Sequence, residues 1–480
     1  MHGQIFCSGW LPVFCGLIER YPIVLPRRSP KAIYLGLILL LSLGLPTWGL
    51  GSDSSLQKLT WQGEVVLEGD YLVPAGTVLR VEPGTRVRPL RPENRIVVQG
   101  VLQVLGTAKA PVIFAGPPGW AGIEFLAGPD GSRIEHAHFS QARTALSSAE
   151  RVFVLRHSRF QDCDTAVKLL RKSGPQVTDC LFERNGIGID NEMRSFPLIR
   201  NNRFLGQRKA AILASHNSSG LIEGNQFENN HLAISLLRPY ADRIVNNRFR
   251  GNATAISCNQ TQGTPVISGN HFEANGKALE SFSFSAPVVE NNTFSGNETA
   301  LHNRQLGSPR VKNNLFTGNG IALDNVRKSS PLVEKNLLKN NRVAVFCDYS
   351  SYPRVKQNNF LGNRLAVQLG DFQSAELERR SGNRALAEQG AILAQAGQNR
   401  PRTGPQLAGP EAVIDFSNNW WGEDTAQLAA AGRDGNPAIF FDRRDQGARP
   451  GSQPMLEGYD LDLVVFHPWL KAAVADAGLP

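Results

Sequence analysis

The stretch VVENNTFSGNETAL, residues 288–301, sets Asn292 two positions before Phe294 and Asn297 three positions after it. The same spacing returns along the chain. With the ring as zero, the series reads Phe139, Phe160, Phe182, Phe204, Phe227, Phe249, Phe272, Phe294, Phe316, Leu338 and Phe360, in steps of 21 to 23 residues. An aliphatic residue stands five positions before each zero, from Ile134 and Leu155 through Val289 and Val311 to Val355. A small-then-aliphatic pair follows six and seven positions after it, as in Ala255-Ile256, Ala300-Leu301 and Ala344-Val345. Proline opens many units at minus seven, among them Pro175, Pro197, Pro265, Pro287, Pro309, Pro331 and Pro353. Self-similarity at a fixed period marks a solenoid. The runs between turn residues are too short for helices and predict strands.

A leucine-rich horseshoe has a similar period, but it requires L-x-x-L-x-L before its asparagine, and no such run precedes the amides here. The pattern predicts an all-β chain wound as a single right-handed parallel β-helix. Equivalent residues of successive coils then stack about 4.8 Å apart, so each column can be read as one object. The column at minus two is Asn202, Asn225, Asn247, Asn270, Asn292, Asn314, Asn336 and Asn358; that at plus three is Asn230, Asn252, Asn275, Asn297, Asn319, Asn341 and Asn363. An amide both donates and accepts, so stacked asparagines can bond to each other and to the turn backbone. Asparagine also tolerates the left-handed backbone of tight turns. These columns are read as structural ladders flanking a stack of rings.

The chain divides into five stretches by this reading. Residues 1–51 form a leader: Arg27, Arg28 and Lys31 precede the apolar run AIYLGLILLLSLGL and small residues at Gly49 and Gly51, the order of a signal peptide. Residues 52–130 hold an N-terminal cap and the opening coils, and 131–370 the regular coils. Residues 371–410, rich in Ala, Glu, Arg and Gln, form an insertion with a short helix and a loop. The repeat resumes once in SNNWWG, with Trp421 at the ring position and Asn419 at the ladder position, and 411–480 supply the last coil and a C-terminal cap. Trp421 and Trp469 are expected in that cap's core.

Formal charge is +9, of which +3 lies in residues 1–51, leaving +6 on the mature chain. Both signs are interspersed there, which suits acidic glycans modestly and gives no nucleic-acid footprint. Cys258 and Cys347 share a column four coils apart, too far for a disulfide, and buried free thiols are expected.

LVPAGTVLRVEPGT, GVLQVLGTAKAPVIF, SNNWWG and the terminal HPWL resemble secreted bacterial right-handed parallel β-helix repeat proteins, the broad pectate-lyase-like group. The resemblance covers residues 58 to about 470. It implies an extracytoplasmic solenoid, with no stable membrane span after leader removal. It does not imply one activity, because that group holds lyases, epimerases, hydrolases and adhesins.

Chemistry is sought on the outward columns. With plus seven and plus nine inside, plus eight and plus ten face out. Glu280, His302 and Asp324 then fall on consecutive coils, with Phe282, Arg304, Phe346 and Asp348 beside them. Glu280, His302 and Asp324 are the candidate acid–base residues; Phe282, Arg304, Phe346 and Asp348 are the candidate substrate-binding residues. The competing reading is an ordinary charged wall, as in the alternating column Glu290, Lys312, Glu334 and Lys356. No cofactor is called. A calcium site would want an acidic motif such as D-x-D-x-D-G, which is absent. Copper handling, known for a periplasmic β-helix protein of nitrous oxide reductase assembly, would want His/Met/Cys clusters, and the chain has 3 Met and 9 His. Two functions stay open: a non-catalytic protein that binds polysaccharide or another surface partner, and a polysaccharide-active enzyme using the Glu280 patch.

Overall fold

The computed structural model describes residues 56–261, 263–381, 412–448 and 459–479. The leader and most of the 371–410 insertion lie outside the described residues. Each coil contributes three short parallel strands. In the Phe294 coil these are Val288–Glu290, Thr293–Ser295 and Thr299–Arg304. Each strand pairs in parallel with its counterpart one coil on, giving two sheets of 14 strands and a third of 15.

Register follows the repeat. Val289 pairs with Val311, Phe294 with Phe316 and Leu301 with Leu323. All six side chains are 0 % exposed, so the three inward columns form one continuous core. From Phe114 to Phe316 the rings lie 4.6–5.0 Å apart and within 8° of parallel. Phe114 extends the column one coil beyond the repeat series, and Val87 pairs with Phe114 one coil earlier still.

The amide columns are buried ladders. The backbone N–H and the Nδ2 of Asn292 both donate to Asn314 Oδ1, at 2.9 and 3.0 Å, and Nδ2 also donates to the carbonyls of Ile267 and Glu290 at 2.9 Å. The left-handed conformation, however, belongs to the residue before the ladder asparagine. Asn201, Asn246, Asn291 and Asn313 take φ of 52–57°, and the amide that follows bonds across the sharp turn they make. Cys163 and Cys180 stand at the N-terminal ends of the ladders, their N–H groups donating to Asn185 Oδ1 and Asn202 Oδ1 at 2.9 Å. All four described cysteines are buried and free; burial pushes Cys163 up to about 11 and Cys180 up to about 12, keeping them as thiols.

After the Phe360 coil comes the helix Ala375–Ser381, inside the insertion. Asn419 then rejoins the ladder, its Oδ1 accepting from Asn358 N and Nδ2 at 2.9 and 3.1 Å. Trp421 is fully buried and stacks on Phe360 at 4.6 Å, while Trp469 is partly buried against the core. Phe440–Phe441 adds the last strand of the third sheet. Among the described residues no helix is long and apolar enough to cross a membrane.

Candidate functional site

The outward residues of the third sheet carry the candidates. A strand such as Thr299–Arg304 buries Ala300, Leu301 and Asn303 and leaves His302 and Arg304 partly exposed. Parallel register places Glu280 beside His302, His302 beside Asp324 and Asp324 beside Phe346. Asp324 Oδ2 lies 2.6 Å from His302 Nδ1, and Glu280 Oε1 lies 3.9 Å from His302 Nε2. Arg304 Nε donates to Glu280 Oε1 at 3.0 Å and Lys277 Nζ does so at 3.3 Å. The Arg304 guanidinium also lies over the Phe282 ring, 4.0 Å from its centroid, in the geometry of a cation–π contact.

Side-chain exposure of Glu280, His302 and Asp324 is only 11–15 %, so their charges interact through a medium less polar than bulk water. Burial alone raises the Glu280 carboxyl, but the hydrogen bonds and charges of Arg304 and Lys277 outweigh it and hold the group below the usual carboxylate range. Glu280 is therefore ionised at neutral pH and serves as an acceptor. A glycosidase general acid needs the opposite displacement. His302 sits on the coil between Glu280 and Asp324, along the line where an inverting glycosidase keeps its water.

Not every candidate faces outward chemistry. Asp348 Oδ1 accepts from the N–H groups of Tyr349 and Phe372 at 2.8 and 2.9 Å, so its carboxylate closes the next turn. Phe346 stays partly exposed beside Asp324. The neighbouring surface contains features the column reading missed. At the ends of the third-sheet strands Phe284 is 54 % and Tyr349 45 % exposed, and Tyr349 stacks on Phe372 at 4.6 Å. The signal was present as bulky residues at plus eleven and plus twelve, where neighbouring units carry Gln260, Gln305 and Ser350.

Residues 121–282 match the family model described as periplasmic copper-binding protein (NosD), and residues 233–381 match the right handed beta helix region. Among solved structures, the tailspike protein of E. coli bacteriophage HK620, in complex with a hexasaccharide, is similar at 11 % identity. That match covers 66 % of this chain and 70 % of the tailspike, with a TM-score of 0.41. The periplasmic alginate epimerase AlgG is similar at 14 % identity over 67 % of this chain and 77 % of its own, with a TM-score of 0.25. No curated protein matches the chain.

The copper description can be tested against the side chains present. Among the described residues no three of His, Cys, Asp and Glu come together as a metal site. Cys163, Cys180 and Cys258 are buried thiols, whereas a metal wants the thiolate. His136 and His157 meet face to face, 4.9 Å apart, so ring faces meet and not ligating edges. Met193 and His216 share a surface hollow with Glu150 and with Arg171, Lys172 and Arg194, three cations against one carboxylate, so the net charge there repels a cation. The described residues of the matched stretch do not fit a copper centre.

Proposed function

We propose that this chain, a right-handed parallel β-helix repeat protein, is an extracytoplasmic protein that binds polysaccharide through the outward face and strand ends of its third sheet, without cleaving it. The observation that carries the reading is the pairing of every candidate acid–base group. Glu280 is held by Arg304 and Lys277, and Asp324 by His302. Exposed rings stand next to this paired surface, and an amphipathic face of aromatic and hydrogen-bonding side chains suits sugar rings. The leader expected at 1–51 and the periplasmic description of the matched family support the location.

One observation favours the second reading, a polysaccharide-active enzyme: His302 lies between two carboxylates, 2.6 Å from one and 3.9 Å from the other. A glycan array followed by product analysis separates the two. Binding with no new reducing ends, no unsaturated products and no change in sugar configuration by NMR supports the binding protein. Turnover that disappears in Glu280→Gln or His302→Ala would replace that reading with the enzyme.

A further inference from the structure

Beyond the ends of the third-sheet strands, successive turns and the helix Ala375–Ser381 enclose a groove of about 840 Å³. Two consecutive left-handed residues build each of these turns: Ser283 and Phe284, Gln305 and Leu306, Arg327 and Lys328, Tyr349 and Ser350, with φ between 49 and 67°. Bulky side chains at positive φ are strained, where Asn or Gly would be at ease. The chain nevertheless keeps Phe284, Leu306 and Tyr349 there, on the groove wall.

The groove has a directional chemistry. Phe284 lies towards one end and the Tyr349–Phe372 stack towards the other, Tyr349 three coils and about 14 Å along the axis and Phe372 four coils and about 19 Å. Ser283, Gln305 and Ser350 supply hydrogen-bonding edges. Lys328 is 3.3 Å from Glu378 on the helix, which places a charged pair where an alkyl chain would be poorly accommodated. Arg327 is exposed on the lining and has no carboxylate partner among the described residues. The same turn column is uncharged at Gln305–Leu306, Ser283–Phe284 and Gln260–Thr261 and then carries Arg238, Arg194, Lys172 and Arg171 on earlier coils, so an anionic chain long enough to leave the groove in that direction would meet positive charge again further along the axis.

We propose that this groove seats a uronate-containing polysaccharide. Sugar rings lie with their apolar faces on Phe284 and on the Tyr349–Phe372 stack, and one uronate carboxylate pairs with Arg327. The inference rests on the glycan-binding reading and adds the place and the charge of the ligand.

Calorimetric titration of the mature protein with a tetrameric oligogalacturonate and with its methyl ester tests it. The acid is expected to bind more tightly than the ester. Arg327→Ala should weaken the acid about tenfold or more, the scale of a lost charge-assisted hydrogen bond, and leave the ester unchanged. Phe284→Ala should weaken both, and Lys356→Ala on the first sheet neither; unchanged thermal melts keep a folding defect from imitating the result. Equal binding of the acid by Arg327→Ala, or preference for the ester, overturns the proposal. An array on which the wild type and the groove variants bind glycan equally sinks this inference alone, whereas an array with no bound glycan sinks the glycan reading with it.

Discussion

Asp242 occupies a position that many other units give to proline. It pairs in register with Gly220, is 1 % exposed, and neither carboxylate oxygen has a hydrogen-bond partner. Burial pushes the carboxyl up to about 8, so at neutral pH the folded protein keeps a proton there that the unfolded chain has lost. The folded value lies above the unfolded one, near 3.9. Stability is therefore highest, on this account, below about pH 4, and falls as pH rises towards about 8, where the loss is complete. Asp242→Asn keeps the shape and removes the titration. The variant should match the wild type at about pH 4 and exceed it by a few kcal/mol at about pH 8. Denaturant unfolding at the two pH values checks this, and a pH-independent difference would count against an unpartnered carboxyl.

At the level of a single column, the ladder asparagines stabilise the turns more than any surface ion pair. Asn292 Oδ1 accepts from Asn270 N and Nδ2 at 2.9 and 3.0 Å, while its own Nδ2 serves three acceptors. Asn292→Ala would leave buried donors and carbonyls unmet on two coils. With each costing about 1–3 kcal/mol, a loss of roughly 3–5 kcal/mol is expected in equilibrium unfolding. The plus-three column tolerates a longer amide: Gln207 Oε1 accepts from Asn185 N at 3.0 Å and its Nε2 donates to Phe182 O at 2.8 Å. Asn297→Gln should accordingly lose much less than Asn292→Ala. By contrast, the alternating column Glu290, Lys312, Glu334 and Lys356 shares register, yet Lys356 pairs with Asp415 at 3.1 Å. Sign alternation in sequence fixes proximity and leaves the choice of partner to side-chain geometry.

For the molecule as a whole, stability is close to a sum over coils and their interfaces, and the terminal coils decide solubility. We expect residues 411–480 to act as the C-terminal cap, because Asn419, Trp421 and Phe440 cover the ladder, the rings and the third sheet of the last coil. Deleting them would unpair the parallel strand edges Leu365–Leu369, now met by Phe440–Phe441, and Asn359–Leu361, now bridged by Trp420. Concentration-dependent oligomers should then appear in light scattering; a monomeric truncated chain would argue against a capping role. How much of this was legible depends on distance along the chain. The Phe294, Val289 and Asn292 columns could be read because each repeats in register, and the outward set Glu280, His302 and Asp324 followed from the same count. The groove could not, since its wall depends on how Ala375–Ser381 folds back over turns from other coils. Nor could the turn-closing bonds of Asp348, which the local backbone decides. Asp242 was missed because a lone acid leaves no periodic trace.

The ladder has one more implication. Since Asn270 and Asn314 present identical atoms, excising residues 288–309 would bring them face to face with every column still matched, whereas removing half that length would match none. Growth and shrinkage by whole turns are thus the changes this fold tolerates best, and the gap between the basic hollow near Arg171 and the aromatic groove near Tyr349 can be reset only in discrete steps, like teeth on a ratchet.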